Sequence, residues 1–470
     1  MVFLCRGRRL SLEEICSAAV GERVEVCRES YDSLVAARTI YQKAVKGGEV
    51  YGYVSGLGAM ADVKTGAWPG RERKVLEEHD TSVGPSAARE IVRAALVVRA
   101  SQIAQGAAPV RSIVLERLVA ALNSDLTPAV GLQGSVGASG DLAPLARIMR
   151  CLLYGEGVAL VGGREVGCLE AVDSMGGTIE LEPGEALALI NSNAWSVGIA
   201  SLGLCIGLRL VRASLEVVRR ALLVTGCNPQ HFSDAVADAK GQGAKYVIES
   251  LASPCSRSPR LQDPYSIRCI PQVYGAAIEV LWAARDLLER EASSPSENPF
   301  IWGQGVYHAC NFHAMPAALS ADMAKVALAA VGNSVERRTA QLLRSSITGL
   351  QEFLAASGSV VGAMIYQYTA ASLSARLRAL ASPSSVHSIP TSGLQEDQVS
   401  MAPNAALDLV SAGASLLRLV AIESALVKVA GAVVSGGQLP DPRDNINSSI
   451  NEVLELSDLG RLSGLLKALW

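Results

Sequence analysis

Residues 186–208 run without a single charged side chain, and no other stretch constrains the fold as much. A helix of that length would cross a bilayer. Yet Asn191, Ser192 and Asn193 stand near its start, and Arg209 and Arg212 follow its end. The better reading is a helix buried among other helices. Helical periodicity also runs through residues 86–106, 111–124, 196–224, 273–291, 316–345 and 404–434. Strand signals are few, and residues 157–160 and 165–168 flank Gly162-Gly163 as a predicted hairpin. The chain is 49% hydrophobic but only 4% aromatic, so its core must be aliphatic, which suits close helix packing. These features predict an all-α architecture of long bundled helices. A boundary near residue 195 would separate an N-terminal domain, 1–195, from a helix bundle with C-terminal helices, 196–470.

A net charge of −3 offers no electrostatic footprint for nucleic acid. The mean hydropathy of +0.27, with no membrane anchor expected, predicts large buried surfaces between copies of the chain. Arginine outnumbers lysine. The ten cysteines contain no C-x-x-C pair and no metal-ligand spacing, so free thiols in a reducing cytoplasm are expected. The first residues, MVFLCRGRRLSLEE, have too short an apolar run for a secretory signal. His308 and His313 are five apart, which does not put them on one helix face, and no metal is expected.

Residues 134–146 read GSVGASGDLAPLA. Small residues beside glycine usually mark a tight turn. Here they also permit chemistry. If the Gly140 nitrogen attacks the Ala138 carbonyl carbon, a five-membered ring closes. Loss of two waters, one carrying the Ser139 hydroxyl oxygen, then leaves an alkene conjugated to an imidazolone. Asp141 is a predicted N-cap for the helix that follows, and Asn191-Ser192-Asn193 opens another. Two positive helix ends aimed at one site would favour negative charge developing there.

Four further segments accompany the triplet: VYGYVSGLG at 50–58, LALINSN at 187–193, LQDPYSIRCIPQVYG at 261–275 and SIPTSGLQEDQVSM at 388–401. Together they closely resemble the histidine, phenylalanine and tyrosine ammonia-lyase family, in family order from Tyr51 to Met401. The resemblance implies the 4-methylideneimidazol-5-one (MIO) group made from Ala138, Ser139 and Gly140, with no external cofactor. It also implies a fumarase- and aspartase-like bundle of long helices, a cytoplasmic homotetramer, and elimination of ammonia from an amino acid.

The resemblance assigns roles residue by residue. Tyr51 matches the base that removes the β-proton, Tyr265 a second tyrosine near the electrophile, and Asn191 a partner of the ring or the substrate. Arg268 matches the carboxylate-binding arginine, whose guanidinium fork fits a planar carboxylate. Phe312 matches a neighbour of the electrophile. Glu396 matches a catalytic glutamate that can hold a polar ring or help move a proton, His79 a histidine that lines the substrate pocket, and Glu78 a position that helps sort substrates; Gln395 adds to substrate binding, and Gln262 to the supporting shell. His79, Glu396 and the SIPTS block favour histidine, giving trans-urocanate. A phenylalanine or tyrosine lyase and a 2,3-aminomutase are the alternatives. The chain departs from the family pattern at Ser55, Leu57, Ser192, Asn193, Cys310 and Gln398, and these departures bear on substrate identity.

Overall fold

The computed structural model describes residues 1–48, 50–252, 254–255, 260–437 and 439–468. Long helices appear where the periodicity predicts them: α1 (Arg89–Ala104), α2 (Ser112–Asn123), α3 (Leu142–Tyr154), α4 (Ala194–Thr225), α5 (Ile270–Ala292), α6 (Met315–Leu342) and α7 (Ala402–Val434). Helices Arg28–Gly47, Met364–Leu380 and Pro442–Leu456 complete the main set. The predicted hairpin is present. β1 (Leu126–Pro128) pairs with β2 (Val158–Val161), which pairs antiparallel with β3 (Arg164–Gly167) across the Gly162-Gly163 turn.

The uncharged span is not one helix. Residues Glu185–Ile190 form a short helix, the chain turns at Asn191–Asn193, and α4 begins at Ala194. Polar side chains at the turn take over backbone bonds a continuous helix would have made: the Ala194 N–H donates to Ser192 Oγ at 3.1 Å. Residues Glu185–Thr225 are long and apolar enough for a membrane span, but 89% of their most apolar 18-residue window is buried in the protein. Gly198 explains part of that burial. A Cβ there would meet the Ala95 backbone nitrogen at 2.7 Å, so glycine lets α4 lie directly on α1.

The chain divides into two compact units that are discontinuous in sequence. The first holds residues 1–202, 285–321 and 383–407, and the second holds 203–284, 322–382 and 408–470. This differs from a single boundary near 195, because long helices such as α4 and α6 begin in one unit and end in the other.

The arginine bias has a structural use in the first unit. Arg93, buried on α1, donates to the carbonyls of Ala18, Ala19 and Leu122, which lie at the ends of two other helices. Arg117 does the same for Leu152 and Gly177 at 2.8 and 2.6 Å. A guanidinium satisfies several orphan carbonyls at once, which a lysine cannot do in a fixed plane. In the second unit Arg338 grips Glu423 through two bonds of 2.6 and 2.9 Å, both side chains fully buried.

The cysteine expectation needs correction. Cys5–Cys27, Cys151–Cys168 and Cys227–Cys255 are disulfide-bonded, while Cys16, Cys205, Cys269 and Cys310 form no disulfide. The pairs are 17 to 28 residues apart, so chain folding brings them together rather than any local motif.

Candidate active site

Ser139 lines a cavity of about 550 Å³ in the first unit, together with Ala138, Tyr51, Phe312, Gln395 and Glu396. The loop that carries it is pinned from several sides. Ser400 Oγ donates to the Gly137 carbonyl at 2.7 Å, and the Met401 N–H to the Val136 carbonyl at 2.9 Å. Gly140 has φ +75°, and a Cβ there would meet the Ser192 backbone nitrogen at 2.4 Å. Only glycine fits, which is the requirement for a backbone folded tightly enough to close on itself. The triplet and its surroundings therefore suit the ring closure its sequence permits.

Asp141 is placed differently from its prediction. It occupies the N-cap position of α3 but makes no side-chain bond to that helix. Its carboxylate instead accepts from the backbone N–H and the hydroxyl of Ser196, both at 2.7 Å, and from Ser135 Oγ at 2.7 Å. It thus caps the first turn of α4 and ties the triplet to it. Burial pushes the Asp141 carboxyl up to about 6, against the pull of these hydrogen bonds.

Asn191 reaches the triplet directly. Its Nδ2 donates to the Ser139 carbonyl at 2.8 Å, and its Oδ1 accepts from the Asn298 N–H at 2.9 Å. The unusual Ser192-Asn193 pair is wired into the interior behind it. Ser192 Oγ donates to Gln102 Oε1 at 2.6 Å, and Asn193 Nδ2 to Glu291 at 2.8 Å.

Glu396 is presented by a strained turn: Ser392, Gly393 and Leu394 all have positive φ, and Thr391 and Glu396 pair across the turn. Glu396 Oε1 accepts a hydrogen bond from Ser139 Oγ, and Oε2 accepts from Thr391 Oγ1 at 2.6 Å. The same turn holds the Tyr51 loop, because Ser392 Oγ accepts from the Ala59 N–H at 3.1 Å. The Tyr51 hydroxyl accepts from the Gly58 N–H at 2.8 Å. Burial raises the Tyr51 pKa above the usual phenol value of 10.0; the Gly58 N–H opposes this, and the Glu396 charge adds to it.

Other predicted residues lie elsewhere. Glu78 and His79 are not among the residues lining the Ser139 cavity; they line a separate cavity of about 490 Å³ with Leu57, Trp68 and Lys74. His79 Nδ1 sits 2.7 Å from the Val75 carbonyl one turn back, which holds the ring against its own helix, Arg71–His79. Tyr265 and Arg268 belong to the second unit, on the short helix Tyr265–Arg268, with the guanidinium 4.6 Å from the tyrosine ring centre. Gln262 is exposed beside them in sequence. The cavity is also lined by residues outside the motif assignments: His308, whose Nε2 accepts from the Tyr51 N–H at 3.2 Å, and Asn298, His313 and Asp397. Thr391 lies inside the 388–401 motif, and Asn298 carries no local sequence signal.

The aromatic amino acid lyase family model matches residues 10–442. The chain belongs to that family. It is 36% identical to a probable histidine ammonia-lyase of Thermoplasma volcanium, over 89% of this chain and 87% of that protein. It is 37% identical to a histidine ammonia-lyase of Paracidovorax citrulli, over 88% and 85%. Among solved structures it resembles a tyrosine aminomutase from Streptomyces globisporus, with TM-score 0.89 and 27% identity over 98% of each chain. This family assignment makes the protein a carbon–nitrogen lyase with the long-helix fold of the ammonia-lyases and aminomutases.

Proposed function

We propose that the protein is a histidine ammonia-lyase that eliminates ammonia from L-histidine to give trans-urocanate. The observation that carries this reading is the meeting of Ser139, Tyr51 and Glu396 in one cavity, with Asn191 on the Ser139 carbonyl. The relatives named histidine ammonia-lyase support the substrate. Ala138, Ser139 and Gly140 would form the MIO group, which supplies an electrophile for the substrate amine. Tyr51 takes the β-proton, and the Gly58 N–H holds its oxygen as charge develops there. Glu396 and Gln395 offer polar partners to an imidazole ring, which a phenyl ring would leave stranded. His79 and Glu78 are not assigned to the ring, since they line the other cavity.

Arg268 binds the substrate carboxylate in this reading, contributed with Tyr265 by other copies in a homotetramer. Exposed apolar side chains support such packing: Leu394, on the Glu396 turn, is 72% exposed and Tyr265 is 71% exposed. The amino acid is a small-molecule substrate reached in the cytoplasm, with no nucleic acid or membrane partner.

The second reading, a 2,3-aminomutase, is favoured by the likeness to the tyrosine aminomutase. Both are tested by incubating the protein with L-histidine, L-phenylalanine and L-tyrosine separately and identifying products by mass spectrometry. Urocanate and ammonia from histidine are expected, with Ser139→Ala inactive. A β-amino acid product would favour the mutase, and preference for phenylalanine or tyrosine would remove the histidine assignment.

A further inference from the structure

We propose that Glu396 is the proton carrier in the dehydration of Ser139, the step that completes the electrophile. The inference rests on the reading of the triplet as the MIO precursor. Its basis is that the Ser139 hydroxyl, the group to be expelled, is hydrogen-bonded to Glu396 Oε1. The carboxyl is held for this task. Its second oxygen accepts from Thr391 Oγ1 at 2.6 Å, and its backbone pairs with Thr391. On the other side of the same residue, Asn191 Nδ2 donates to the Ser139 carbonyl at 2.8 Å, and the Asn298 N–H fixes Asn191 in turn. Leaving group and carbonyl of one serine are thus gripped by two side chains that do not depend on each other.

The chemistry balances without an oxidant or reductant. In the first stage the Gly140 nitrogen bonds to the Ala138 carbonyl carbon. That carbonyl oxygen departs as water with the hydrogens of the Gly140 and Ser139 amides. In the second stage Ser139 loses its Cα proton, and the electron pair is held as an enolate on the carbonyl oxygen bonded by Asn191. The pair then forms the Cα–Cβ double bond as the Cβ–Oγ bond breaks. Hydroxide is a poor leaving group and must gain a proton at that moment. The Glu396 carboxylate accepts the proton lost from Cα and passes it to Oγ, which leaves as water. Glu396 ends as it began.

Once Oγ has gone, Oε1 loses the partner it has here and is free to face the cavity. The same carboxyl serves maturation first and substrate afterwards.

The test follows the peptide containing residues 134–146 by time-resolved mass spectrometry, in full-length protein made by cell-free translation. Wild type passes to a mass two waters lighter. Glu396→Gln keeps the shape but carries no transferable proton, so it closes the ring and stalls one water lighter, with the second loss slowed about 100-fold. Glu396→Asp restores part of the rate, and Asn191→Ala slows the same second stage. The one-water species itself reports a folded triplet. If Glu396→Gln loses both waters at the wild-type rate, or loses neither, the proposal is overturned. A full mass in wild type would instead remove the MIO reading on which it rests.

Discussion

Tyr51, the proposed base, carries conflicting demands. A general base must be able to lose its proton, yet burial and the nearby Glu396 charge both raise the Tyr51 pKa. The Gly58 N–H acts in the opposite direction, and it bonds the oxygen that must bear charge. With the pKa above 10.0, the basic form gains population only as pH rises, so turnover climbs through the alkaline range. Tyr51→Phe should lower kcat by about 10²–10⁴-fold with KM little changed, and abolish that alkaline rise. Steady-state rates across pH check this; a variant that keeps the wild-type profile would remove the base assignment.

Asp141 shows that an element's cap need not come from its own flank. The carboxylate precedes α3 in sequence but closes the N-terminus of α4 through Ser196. Its carboxyl is raised from 3.8 to about 6, mainly by burial. Between those values an unfolded chain ionises this group while the folded one keeps it protonated. The stability it contributes is therefore full below 3.8 and lost as pH rises through about 6. Asp141→Asn should flatten the pH dependence of the urea midpoint across that window. Asp141→Ala should cost about 1–3 kcal/mol, because the buried Ser196 N–H loses its acceptor. Parallel slopes for wild type and Asp141→Asn would contradict the assignment. α4 was legible from its apolar run, but this cap was not, because it joins residues 55 apart.

For the whole molecule, the residues proposed for the site fall into two groups. Tyr51, Ser139, Asn191 and Glu396 lie in the first unit, and Tyr265 and Arg268 in the second. A homotetramer with shared sites predicts complementation. Tyr51→Phe and Arg268→Ala, each inactive alone, should regain turnover when co-expressed, because a hybrid can assemble some sites free of both changes. Sedimentation should give the tetramer for each. Hybrids that remain inactive, or a fully active monomer, would contradict the shared site.

Local information was enough for much of this protein. Apolar spacing located the long helices, Gly162-Gly163 marked the hairpin, and the small residues at 138–140 marked a tight turn. Each depends on residues a few positions apart, so the sequence states it directly. Tertiary structure alone decided which distant groups meet. Ser139 and Glu396 are 257 residues apart, and their bond exists because the loops before α7 and α3 fold onto one another within the first unit. The same holds for the disulfide partners, for Asp141 on α4, and for Asn298 behind Asn191. It holds also for the separation of Glu78 and His79 from the Ser139 cavity. Periodicity sets which face of a helix is buried, but long-range contacts depend on how every element packs, and no local pattern encodes that.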